Sequence, residues 1–311
     1  MMRLFLLLFN QVNMTTAHET RSGIINAVAA YSMWGFAPLY FKLIADIASG
    51  EILVHRIVWS SLLLLILLIA MRKIPAMFKA IKQSKTLLTL TVSATLLAGN
   101  WFLFIWAVNN DHLLDASLGY YINPLLNVAL GMIFLGEKLR KLQVVAVALA
   151  VIGVAIQIIM LGSIPVISFA LAGSFAFYGL IRKKLAVDTF IGLFLESLLM
   201  LPIAILAWVY FIESPTVNMF ANSATLNTLL ICAGIVTTAP LLCFTAAAKR
   251  LPLSTLGFFQ YIGPSIMFLL ATFHYEEPLS LAKLLTFAFI WSALATYSYD
   301  SYRRQKKARS S

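Results

Sequence analysis

The sequence predicts an all-α integral membrane protein of ten transmembrane helices, arranged as two inverted five-helix repeats. Three observations carry that expectation: apolar blocks long enough to cross a bilayer, basic residues confined to alternate connections, and an internal duplication. Of 311 residues, 61% are hydrophobic and 11% charged, against roughly 45–50% and about 25% in soluble domains. That leaves too little polar surface to cover a soluble core, so lipid has to serve as part of the solvent.

Spanning roughly 30 Å of hydrocarbon takes about 20 apolar residues, and ten such segments follow one another along the chain. The first, 24-44, follows residues 1-23, where Arg3 and Leu4 to Phe9 resemble a signal peptide too short to be one. That stretch reads as a disordered or interfacial tail, with Met14 an alternative start. The second, 51-71, carries Glu51, His55 and Arg56; the third, 86-108, carries Asn100, Trp101 and Trp106. The fourth, 113-135, contains Gly119-Tyr120-Tyr121-Ile122-Asn123-Pro124, and the fifth, 140-160, closes the first half. In the sixth, 165-185, Ser168, Ala172 and Ala176 recur every four residues as a close-packing ridge. The seventh, 189-212, holds Glu196. The eighth, 225-247, holds Cys232 and Cys243, which lie about 16 Å apart on a helix and so read as core residues without a disulfide. The ninth, 253-273, contains Gly257-Phe258-Phe259-Gln260-Tyr261-Ile262-Gly263-Pro264, and the tenth, 279-299, leads into a basic tail at 303-311. Pro38, Pro124, Pro202, Pro240 and Pro264 mark expected helix bends, because each removes a backbone donor and frees a carbonyl that needs a polar neighbour.

All but three of the 23 Lys and Arg residues, the exceptions being Lys42, Arg56 and Lys283, fall on one side of this partition. Positive charge gathers on cytoplasmic connections. Both termini are therefore expected in the cytoplasm of a bacterial inner membrane, which agrees with an even number of crossings. The net charge of +11 is thus a topology signal and gives no support to nucleic acid as a partner.

The two halves repeat. Ile122-Asn123-Pro124 returns as Ile262-Gly263-Pro264, and Leu130, Glu137 and Leu139 return as Leu270, Glu277 and Leu279. A five-helix unit is odd, so its second copy enters the membrane upside down, making residues 24-160 and 161-302 an inverted pair. Such pairs can open a shared central site to each side in turn. A carrier fits that geometry better than an enzyme or a non-transporting sensor or assembly partner.

Trp34-Gly35-Phe36-Ala37-Pro38, Glu51-Ile52-Leu53-Val54-His55-Arg56, the run Ser117 to Pro124 and the run Leu251 to Pro264 together resemble the RarD branch of the EamA transporters, in the drug/metabolite transporter superfamily. The resemblance extends from about Arg21 to Tyr302. It implies ten helices around a central cavity and a permease that exports small metabolites or amphipathic compounds; members named RarD are labelled chloramphenicol-sensitivity permeases.

An ionisable group at lipid depth costs roughly 2.5–3.5 kcal/mol on insertion scales, so each needs a reason. Arg56 and His55 could meet a substrate's carboxylate, or Arg56 could snorkel outward and pair with Glu51. Glu196 could meet an amine, carry a coupling proton, or bond a neighbouring helix; His55 is the other proton candidate. Around the expected bends, Tyr120, Tyr121, Asn123, Gln260 and Tyr261 could stack on and orient a substrate, as could Asn100 and Trp101, or simply pack. Glu137 and Glu277 read as loop anchors, and Asp111, His112 and Asp115 as solvated loop residues. No phosphate loop, nucleophile motif or metal-ligand spacing is present, so neither ATP, a cofactor nor a metal is expected.

Overall fold

A computed structural model describes residues 2–110, 112–162, 165–210, 215–276 and 281–310. The first half comprises α1 (Met2–Lys42), α2 (Ser49–Ala70), the short α3 (Ile74–Ile81), α4 (Ser84–Asn109), α5 (Leu113–Leu135) and α6 (Lys141–Leu161). The second comprises α7 (Val166–Lys184), α8 (Thr189–Tyr210), α9 (Ala224–Arg250), α10 (Leu253–Gln260), α11 (Ile262–Phe273) and α12 (Leu281–Ser310). Among the described residues ten stretches are long and apolar enough to cross a membrane, and each overlaps one of the segments read from the sequence.

Three differences have local causes. Helix α1 begins at Met2 and continues through the expected tail, since neither Gly nor Pro interrupts residues 2–22; its apolar span starts at His18. The connection after α2 folds into α3, with Pro75 in its first turn, where a missing N–H costs nothing. The ninth segment is two helices. Pro264 leaves the Gln260 carbonyl without its helical donor, and the chain breaks at Tyr261. Helices α1, α5, α8 and α9 run without interruption through Pro38, Pro124, Pro202 and Pro240. The expected basic tail continues α12 to Ser310.

The packing is inside out relative to a soluble protein. Large apolar side chains such as Ile133, Ile159 and Ile203 are exposed on the outer surface. Glu51, His55, Asn123, Asn127, Arg182, Glu196 and Gln260 are buried. Without a hydrophobic force between helices in lipid, small residues and polar contacts hold the bundle. The Ser168, Ala172, Ala176 ridge is fully buried, and α7 packs closely on α5.

Contacts between the halves obey an exchange rule. Pair each membrane-length helix of the first half with the one at the same place in the second, α1 with α7, α2 with α8, α4 with α9, α5 with α10–α11, and α6 with α12. The contacts α2–α8, α5–α10 and α6–α12 then map onto themselves. The remaining contacts map onto one another: α1–α9 with α4–α7, α1–α11 with α5–α7, and α2–α9 with α4–α8.

Candidate functional site

The central cavity lies among α2, α4, α8 and α9, the second and third helices of each half. Its polar lining is Arg56 and Ser60 from α2, Glu196 and Ser197 from α8, and Thr237 and Thr238 from α9; Trp101 and leucines complete the wall. Ten of its 13 lining residues form five pairs separated by 140 positions: Arg56 and Glu196, Ile57 and Ser197, Ser60 and Met200, Leu97 and Thr237, Trp101 and Leu241. Most of the lining thus recurs at one spacing in the two halves of the chain. Its volume is about 20 Å³, on a scale where one water needs roughly 10–15 Å³. This conformation is contracted, with room for water but not for a metabolite.

Arg56 donates from Nε to Thr237 Oγ1 at 2.9 Å, and its cationic carbon sits 4.7 Å from the Trp101 ring centroid. The expected alternative, an Arg56–Glu51 pair, does not form. Glu51 instead accepts from the Thr216 hydroxyl, with 2.8 and 2.9 Å to its two oxygens. His55 is fully buried away from the cavity. Its Nδ1 accepts from Trp59 at 3.0 Å, its ring packs on Trp208, and its Nε2 faces Glu51 at 3.8 Å.

Glu196 is enclosed. It accepts from Ser93 at 2.5 Å and from Arg182 Nη1 at 3.3 Å, both on Oε1, and from Tyr178 at 3.4 Å on Oε2. Arg182 is completely buried although it sits in the basic stretch after the sixth segment. Gly192 makes room for it, since a Cβ there would overlap the guanidinium. Its neighbours serve as anchors: Lys183 donates to the Ala248 and Leu251 carbonyls, and Lys249 to that of Val187.

The other nominated residues assemble elsewhere. Asn123 donates to the Ala172 carbonyl at 2.6 Å and accepts from Asn127, which also donates to Gln260 at 2.8 Å. The two repeated Gly-aromatic-Pro elements are thus joined through Asn127. Tyr261 donates to the Tyr121 carbonyl at 3.3 Å. Tyr120 is substantially exposed and meets Phe104 edge-on, while Asn100 binds α7 through the Leu171 carbonyl and Ser174. Glu137 accepts from the Leu253 and Ser254 N–H groups and the Ser254 hydroxyl, capping α10 across the halves. Asp111 and Glu277 lie outside the described residues, as does the side chain of Asp115.

The EamA-like transporter family model matches residues 21–159. An uncharacterized transporter of Vibrio cholerae is 55% identical over 94% of this chain and 96% of its own. Protein RarD of Escherichia coli K12 is 52% identical over 94% and 98%. The chain belongs to the RarD branch of the EamA family. A crystal structure only 18% identical shares the fold of this RarD-type chain, with a TM-score of 0.72 over 91% of it and 98% of the other protein.

In this EamA-family chain the nominated residues separate into two groups. Arg56, Trp101 and Glu196 line the cavity; His55, Asn100, Tyr120, Tyr121, Asn123, Gln260 and Tyr261 contact neighbouring helices. Sequence reasoning missed Arg182, whose signal was its place in the last turn of α7, 14 positions before a carboxylate inside the next apolar block. It also missed Asn127, one helical turn after Asn123, and the Thr237-Thr238 pair inside an otherwise apolar segment.

Proposed function

We propose that this protein is a secondary transporter that exports small metabolites or amphipathic compounds across the inner membrane by alternating access, with both termini in the cytoplasm. The observation that supports this most is the pairing of cavity residues at a constant separation of 140 positions. Together with the exchange rule in the helix contacts, it supports an inverted repeat whose halves can trade conformations. On this reading Arg56, Trp101, Thr237 and Thr238 contact the substrate. The Arg182–Glu196 pair closes the end of the cavity nearer the basic connections, and its protonation is the proposed coupling step. His55 and the Asn123–Asn127–Gln260 chain hold the frame. The contracted cavity is a closed intermediate that widens on either face.

Two measurements test the reading. Single cysteines in place of Lys183 and Lys306, in a background lacking Cys232 and Cys243, should react with membrane-impermeant reagents only from the cytoplasmic side. Labelling on opposite faces would remove the inverted arrangement. Proteoliposomes given a radiolabelled metabolite panel should show carrier flux, lowered at least about tenfold by Arg56→Ala and dependent on a pH gradient unless Glu196 is replaced by Gln. Gradient-independent flux would eliminate proton coupling, and wild-type flux in both variants would eliminate the site.

A further inference from the structure

Resting on the transporter reading, we propose that the cavity selects an organic anion. Its carboxylate sits on the free side of the Arg56 guanidinium, its second polar group on Thr238, and its apolar or aromatic body against Trp101 and the leucine wall. The argument begins with charge. Two ionised side chains line the cavity, one of each sign, so a zwitterion would seem the natural occupant. The structure removes that symmetry, because Glu196 is already matched by Arg182 and saturated by Ser93 and Tyr178.

Arg56 has no such partner. Among the described residues no carboxylate lies within 4.0 Å of it. Its sole hydrogen bond among them goes from Nε to a neutral hydroxyl, and neither terminal nitrogen donates to a described residue. Glu51, on the same helix, is committed to Thr216. An arginine at membrane depth pairs with something, and its planar fork matches a carboxylate bidentately where an ammonium would act only as a point charge.

A second feature points the same way. Thr238 lines the cavity and is 2% exposed, yet its hydroxyl has no partner. Serine and threonine hydroxyls on helices commonly bond the carbonyl one turn back, as Ser61 and Thr228 do here. Leaving such a group unpaired is costly unless a ligand or water completes it. A cationic substrate would find no free acceptor charge in this lining, whereas an anion finds an unused fork, a free hydroxyl and an aromatic face.

The test uses three probes of one shape and different charge: N-acetyl-phenylalanine as anion, phenylalanine as zwitterion and phenylalaninamide as cation, with a panel of aliphatic and aromatic monocarboxylates. Binding is read as thermal stabilisation of the full chain in nanodiscs, and transport as counterflow in proteoliposomes. The anions alone, N-acetyl-phenylalanine and the monocarboxylates, should stabilise the protein and exchange. Arg56→Gln should weaken their binding by at least about tenfold, with Arg56→Lys intermediate. Thr238→Val removes an unpaired hydroxyl, so the empty protein should melt no lower while carboxylate affinity falls severalfold. Tighter binding of the zwitterion or cation, no stabilisation by any monocarboxylate, or unchanged affinity in folded Arg56→Gln and Thr238→Val proteins would each overturn the anion assignment. Flux confined to amines would overturn it and leave the transporter reading standing. Carboxylate binding without counterflow would do the reverse.

Discussion

Arg56 and Glu196 occupy the same place in the two halves, 140 residues apart on equivalent helices that line one cavity, and yet their surroundings are opposite. Around Glu196 three donors from α4 and α7 converge, and a buried guanidinium balances the charge. Around Arg56 there are one neutral hydroxyl and the aromatic rings of Trp101 and Phe41. Two positions at the same spacing thus carry opposite surroundings, one locked by donors and the other open.

The largest expected effect tests the locked end. Glu196→Ala strands the buried Arg182 charge and should destabilise the protein by about 3–5 kcal/mol, whereas the paired change Arg182→Met with Glu196→Leu should recover most of that loss. Thermal unfolding in nanodiscs measures both. Arg56→Ala, which strands no opposite charge, should cost clearly less, and equal costs would break the comparison.

A smaller effect concerns the crossing behind the open end. A Cβ on Gly234 would lie 2.6 Å from Trp59 backbone and side-chain atoms, while one on Gly50, at the start of the same α2, would meet nothing within 4 Å. Gly234→Ala should therefore cost about 1–3 kcal/mol through overpacking, with Gly50→Ala near neutral. Similar melting of the two variants would show that the α2–α9 contact can spread freely.

The smallest effect lies outside the membrane, where Lys73 reaches Asp188 at 2.7 Å and links the halves. Burial works to raise the Asp188 pKa. The hydrogen bond and charge of Lys73, with the Ile191 and Phe190 N–H groups, outweigh it and hold the carboxyl below its usual value. A depressed carboxyl contributes stability above its unfolded pKa, and that contribution fades as pH falls through the folded value. The pair is well exposed and screened, so its worth is under about 1 kcal/mol. The melting difference between wild type and Lys73→Ala should be present at neutral pH, shrink in acid, and stay flat toward alkaline pH. A difference that grows in acid would contradict the sign.

The ten spans were legible because lipid imposes length and composition on each helix separately. Ile122-Asn123-Pro124 and its echo at Ile262 disclosed the duplication, and Arg56 and Glu196 announced themselves as charges inside apolar blocks. What each charge does was not legible. Arg182 sits in a run that reads as cytoplasmic, and nothing local shows that it turns inward onto Glu196. The packing of Trp208 on His55 from another helix is likewise invisible in the sequence.

By itself the sequence determined the number and place of the membrane-length helices, since these follow from short-range hydropathy along one chain. Tertiary structure alone decided which charge is spent and which is free. Pairing depends on side chains from three or more helices meeting in the dry interior, and their approach is set by helix packing.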